Sequence, residues 1–107
     1  MKHITLNIGT EIRADGLPLT DSERLSGMKA IEANALDVFG GVTIVPTWGA
    51  WRNSAGETVT EEGIQLDILT DQPEAEASAR NLAAQAKALL HQQSVLLQIR
   101  DTTAEFV

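Results

Sequence analysis

Cysteine is absent from this chain, and aromatic residues make up only 4% of it. Without cysteine there is neither a disulfide framework nor a thiolate to act as nucleophile or metal ligand, and nothing points to an oxidising compartment. Positive charge is scarce as well: 8 Lys and Arg stand against 15 Asp and Glu, for a formal net charge of -7. The basic residues are scattered rather than clustered, so the phosphate backbone of a nucleic acid meets repulsion instead of a binding stripe. No run approaches the ~20 apolar residues of a membrane span. The N-terminal MKHITLNIGT alternates, whereas a signal peptide is continuously apolar at its centre. These absences predict a soluble, cytoplasmic protein with no membrane or nucleic-acid partner.

A chain of 107 residues, 43% apolar, suits one domain over residues 1–107 with one core. In residues 3–8 (HITLNI), Ile4, Leu6 and Ile8 alternate with His3, Thr5 and Asn7, which is the period of a half-buried strand. GTEIRADGLPL then reads as a loop. Thr20 and Glu23 form a T-x-x-E capping box ahead of Leu25, Met28, Ile31, Ala35 and Phe39 at helical spacing, and Gly40-Gly41 stops the run. VTIVPTW is strand-like, with Pro46 placing it at a sheet edge or on a bulge, because proline lacks a ladder donor. After an N-S-A-G turn, GIQLDIL alternates again. Asp71 and Pro73 open a second helix with Ala79, Leu82, Ala86 and Leu89 on its apolar stripe, Glu74 and Glu76 at its positive end and Lys87 near its negative end. SVLLQIR makes a fourth strand, extending into TTAEFV. The order β-α-β-β-α-β predicts an α+β, ferredoxin-like two-layer sandwich.

In such a sandwich both helices cover one sheet face. If Ile4, Leu6, Ile8, Ile64, Leu66 and Ile68 meet the helices, the open face displays His3, Thr5, Asn7, Gln65 and Asp67 on the two central strands. Domains of this topology that bind RNA stack bases on aromatics at those places, which are small, polar or acidic here. The face is therefore expected to be solvated, a dimer surface or a ligand platform.

Both tryptophans fall in PTWGAWRNSAGE. Strict alternation directs Trp48 toward the helices and Trp51 toward the open face, while a bulge at Gly49 would reverse the second half. One expectation is that Trp48 caps the core, with Trp51 packed across the hairpin and Arg52 laid over an indole. The other sets Trp51 and Arg52 at the rim of the open face as a π surface and a bidentate donor. The G-A-W-R run (Gly49–Arg52) and the Q-Q-S-V-L run (Gln92–Leu96) resemble a bacterial family of small lipoprotein-like proteins with G-x-W-R and Q-E-S-V-L elements. Gln93 stands where that motif has glutamate, and the resemblance implies an arrangement of elements rather than a chemistry. The opening K-x-I-T-L-N pattern is also similar to phage-encoded accessory proteins.

Catalytic and metal motifs are thin. His3 and His91 lack metal-ligand spacing, so no metal or cofactor is expected. Glu61 and Glu62 are adjacent, point to opposite faces, and read as an ordinary solvated edge. The Gly9–Gly16 loop carries Arg13, but Glu11 and Asp15 beside it oppose an anion. The phosphate-binding glycine patterns are absent. The sequence thus favours a non-catalytic binding module, a homodimer of phage-accessory type that captures a small ligand or a protein partner. Its expected binding residues are Asn7, Arg13, Trp51, Arg52, Gln65 and Asp67. A small enzyme acting on an anionic substrate at the Arg13 loop and a structural subunit of a larger assembly remain the alternatives.

Overall fold

The computed structural model describes Met1–Val107 and has the expected element order: β1 (Lys2–Gly9), α1 (Asp21–Phe39), β2 (Thr43–Arg52), β3 (Thr58–Thr70), α2 (Ala75–Leu89) and β4 (Leu96–Asp101). The strands form one antiparallel sheet in the order β2-β3-β1-β4, which is the ferredoxin-like α+β sandwich. The alternation in the central strands resolves as the sequence predicts. Ile4, Leu6, Ile8, Ile64, Leu66 and Ile68 are buried in the core together with Ile31, Ala35, Ala79, Leu82 and Ala86 from the helices. Register pairs Thr5 with Asp67 and Asn7 with Gln65, so the polar residues share the opposite face. On β4 the register brings Leu96, Gln98 and Arg100 opposite Asn7, Thr5 and His3, and thus onto that same open face.

The ends of α1 follow from local chemistry. The Glu23 amide donates to the Thr20 hydroxyl at 3.1 Å and the Thr20 amide donates back to the Glu23 carboxylate at 3.0 Å, closing the capping box. At the other end Gly40 adopts φ 77°, a left-handed conformation that favours glycine, and the helix stops. The expected apolar stripe needs one correction. Leu25 is 58% exposed, and the buried residue of that turn is Gly27, where an added Cβ would lie 2.8 Å from Leu90. The helices approach too closely there for a larger side chain. In α2 the buried stripe is Ala75, Ala79, Leu82 and Ala86, continued by Leu90 rather than Leu89.

Two strand limits also differ from expectation. β4 ends at Asp101 and TTAEFV is irregular. β3 begins at Thr58, well before Gly63, because the hairpin continues past β1. The pairing of β1 with β3 stops at Gly9 opposite Gly63, whereas the β2–β3 ladder runs on, without a bulge, to Arg52 opposite Thr58. Residues 48–52 and 58–62 are thus a two-stranded arm beyond the helices, and the molecule measures 45 × 28 × 25 Å. Pro46 lies on the edge strand β2, as its missing donor requires.

This arm decides both tryptophans. The unbroken register leaves Trp48 on the helix side of the ribbon and Trp51 on the open side. Trp48 does not cap the core: it is 71% exposed, since no helix extends beneath it. Trp51 pairs across the ribbon with Val59 and keeps 45% of its surface exposed. At the tip, the Asn53 side-chain oxygen accepts from the amides of Ala55 and Glu57, each at 3.0 Å, and Arg52 donates to the Gly56 carbonyl at 3.1 Å. No helix of the chain is long and apolar enough to cross a membrane.

Candidate ligand trough on the open face

At the centre of the open face the polar side chains satisfy one another. Asp67 faces the His3 ring nitrogen Nε2 at 3.0 Å and accepts from the Gln65 amide at 3.2 and 3.3 Å, with the Thr5 hydroxyl at 3.5 Å. Thr5 is only 6% exposed even though it lies on the uncovered side, because this network closes over it. Gln65 and Asp67 were expected to bind a ligand, and the structure places them in this internally paired group.

The situation changes where the arm leaves the sheet. A cleft of about 650 Å³ lies between the Gly9–Gly16 loop, the base of the arm and the segment after α2. A second recess of about 220 Å³ shares Gly9, Trp51 and Glu61 with it, and reaches Asn7. Together they form one trough. Its floor is bare where Gly9 faces Gly63 across the strand pair. A Cβ on Gly63 would lie 2.6 Å from the Ile8 carbonyl oxygen, and one on Gly9 would lie 2.6 Å from both Glu61 Oε1 and Gln92 Oε1. Only glycine at position 9 lets those two side chains converge.

Glu61 is therefore not an ordinary solvated edge residue. It is half-buried, and its Oε2 accepts from the amides of Ile12 at 2.8 Å and Glu11 at 3.3 Å, which folds the loop over the end of the sheet. Glu11 reciprocates by accepting from the Glu62 amide at 2.8 Å. The amide nitrogen of Gln92 donates to the carbonyls of Ile12 and Leu90, at 2.8 and 2.9 Å. Each side chain thus commits one end to the backbone and keeps one free. The free ends, Glu61 Oε1 and Gln92 Oε1, are both acceptors, meet above Gly9, and have no protein donor.

Arg13 borders the cleft from the loop. Its guanidinium lies 3.5 Å from Glu23 and 3.3 Å from Asp15, while its buried Nε has no acceptor. The Glu23 carboxyl is held below its usual range by hydrogen bonds from the backbone and side chain of Thr20, reinforced by the nearby charges of Arg13 and His91. Of the residues expected to bind, Arg13 and Trp51 line the same cleft, and Asn7 lines the adjoining recess. Arg52 is at the arm's tip, bonded to the turn. The sequence reading did not single out Gly9, Glu61 or Gln92 as binding residues. The available signal was the Q-Q-S-V-L run that contains Gln92, read there as an arrangement only. No group of His, Cys, Asp and Glu side chains is gathered for a metal ion.

A ferredoxin-like sandwich with a trough at one end of its open face is the class that these features define. Among solved structures the chain resembles a phage SAM lyase in complex with S-methyl-5'-thioadenosine, with TM-score 0.67, 18% identity, and coverage of 94% of this chain and 80% of that one. The apo state of a phage SAM lyase gives TM-score 0.69 at 17% identity, covering 92% and 78% of the two chains. The periplasmic divalent cation tolerance protein CutA from Archaeoglobus fulgidus follows at TM-score 0.60 and 14% identity, covering 99% and 88%. At these identities the likeness establishes the fold. No protein-family model matches the chain, so the likeness to lipoprotein-like proteins stays with its two short motifs. No curated protein sequence matches it either.

Proposed function

We propose that the trough binds an adenosyl sulfonium ligand of the S-adenosylmethionine class. The observation that carries this reading is the pair of donor-free acceptors, Glu61 Oε1 and Gln92 Oε1, converging over Gly9 beside the exposed face of Trp51. A carboxylate with a free oxygen attracts a cation or an ammonium donor, and an indole offers a stacking surface to a purine and a π face to a sulfonium. The bare floor at Gly9 and Gly63 admits a flat group close to the backbone. A net charge of -7 draws a cationic ligand toward the protein. The phage SAM lyase of the same fold, which holds S-methyl-5'-thioadenosine, supports the choice of ligand class.

Capture of such a molecule suits the phage-type accessory role. Titration of the full chain with S-adenosylmethionine and with S-methyl-5'-thioadenosine, followed by calorimetry, tests the reading. Saturable binding of both is expected, and Trp51→Ala should weaken each by about tenfold, the effect of losing one base stack. Absence of binding to either compound by the wild-type chain sinks the proposal. Chromatography of the same mixtures separates capture from turnover, because an enzyme would convert the first compound to the second.

The arm supports the homodimer reading. A two-stranded ribbon open on both faces is marginal by itself, and its exposed Trp48 fits a second copy. Light scattering at micromolar concentration should give twice the monomer mass, with Trp48→Asp shifting it to monomer; a monomeric wild type refutes the dimer.

A further inference from the structure

Behind the Arg13 loop lies a recess of about 410 Å³ lined by Arg13, Asp15, Lys87, His91 and Gln92. Three basic side chains meet here in a chain with few of them. The recess shares Arg13, Ala14 and Gln92 with the trough, so the two cavities adjoin across one loop segment. We propose that this recess is the carboxylate subsite of the trough's ligand: it receives the α-carboxylate of an amino-acid tail whose ammonium faces Glu61 and Gln92. The inference rests on the ligand class proposed above and assigns the part of that ligand which an adenosyl-binding trough leaves open.

Three observations support it. The Arg13 Nε is buried with no acceptor, while its Nη2 is 3.3 Å from the carboxylate of Asp15. A guanidinium edge with one donor unmet and the other on a half-exposed carboxylate is matched by a ligand carboxylate that displaces Asp15 and bonds both nitrogens side by side. Lys87 has no acidic partner, so its charge is available to the same anion. The recess is also held in shape. His91 takes φ 51°, unusual outside glycine, and its carbonyl accepts from the Ala14 amide at 2.7 Å, which ties the loop to the end of α2. Glu23 bridges the other side, 3.5 Å from Arg13 and 3.3 Å from His91, and so aims the guanidinium without covering Nε.

The opposite hydrogen-bonding character of the two cavities makes the pairing specific. Free acceptors lie on one side of Arg13 and Gln92, and free donors lie on the other. An α-amino acid group has one charge of each sign on a single carbon, which this arrangement complements.

Calorimetry with three compounds decides the matter: S-adenosylmethionine, its decarboxylated analogue, and S-methyl-5'-thioadenosine, which lacks the amino-acid tail. On the wild-type chain the decarboxylated analogue should bind about tenfold more weakly than the parent compound. Arg13→Gln should abolish that difference. Lys87→Gln, an exposed position outside the trough, should reduce it several-fold while S-methyl-5'-thioadenosine binds as before, and it serves equally if Arg13→Gln fails to fold. Asp15→Asn should tighten the parent compound and leave the decarboxylated analogue unchanged. Equal affinity of the wild type for the parent and decarboxylated compounds overturns the subsite but leaves the trough standing. Failure of all three compounds to bind overturns the trough, and the subsite with it.

Discussion

Two ends of one sheet face carry similar polar residues and behave differently. Around Asp67, the His3, Thr5 and Gln65 side chains meet its carboxylate, and the group closes over Thr5. Around Gly9, Glu61 and Gln92 each satisfy the backbone with one end and leave an acceptor free with the other. A polar surface with its hydrogen bonds complete is structure, and one with acceptors left over keeps them open to water or to a ligand. The difference comes from the neighbours: the central strands are flanked on both sides by others, while the trough lies where β1 has ended and a loop has folded back.

The largest effects should come from exchanging a single oxygen at each end. Glu61→Gln keeps an oxygen for the Glu11 and Ile12 amides but turns an NH2 group toward Gln92 and the ligand. Affinity for S-adenosylmethionine should fall by tenfold or more, with a small change in unfolding midpoint. Asp67→Asn should do the reverse, lowering stability by about 1 kcal/mol, the usual worth of a part-buried hydrogen bond, and changing affinity less than twofold. Calorimetry and urea unfolding of the two variants give both numbers. If Asp67→Asn costs as much affinity as Glu61→Gln, the face is one continuous site and the contrast drawn between its ends fails.

Much of this architecture could be read from the chain, and the physical reason is periodicity. Alternation in HITLNI and GIQLDIL assigns each side chain to a face, and the Thr20–Glu23 box with Gly40 marks a helix, because those signals are local. The length of β3 was not readable. TVTEE has a single apolar residue, Val59, so no apolar period announces it. Gly27 escaped for a related reason: a small residue in a helix reads as a weakness until the partner helix, with Leu90, is known to press against it. The trough depends on Gly9, Glu61 and Gln92, which lie far apart in sequence and meet only through the register of β1 with β3 and the turn after α2. Arg13, Trp51 and Asn7 were recognisable by side-chain type, whereas the acceptors that line the candidate site with them are ordinary residues made special by position.

The smallest effect separates the two ends by acidity. Glu23 belongs to the trough end, since it caps α1 and faces both Arg13 and His91. Its carboxyl has a folded-state pKa below the ordinary 4.5, chiefly through the Thr20 hydrogen bonds. A depressed carboxyl contributes stability that is fully present above the unfolded pKa and is lost as pH falls through the folded one. Thr20→Ala removes the hydroxyl's share of the depression, while the backbone amide of residue 20 still donates to Glu23, and loss of the side-chain cap should lower stability at pH 7 by about 1 kcal/mol. Wild type and variant should then draw closer as pH falls from 6 to 3, because protonation takes the backbone amide's share from both chains but the hydroxyl's share from the wild type alone. The residual gap at pH 3 measures the Glu23 amide on the Thr20 hydroxyl, a bond that protonation of the side chain leaves intact. Unfolding curves at a series of pH values follow this convergence, and hydrogen exchange locates it, with the Arg13 loop losing protection in acid ahead of the β1–β3 ladder. A gap that is constant with pH would mean that the Thr20 hydroxyl does nothing for the Glu23 charge, and that the depression is held by the residue-20 amide together with Arg13 and His91.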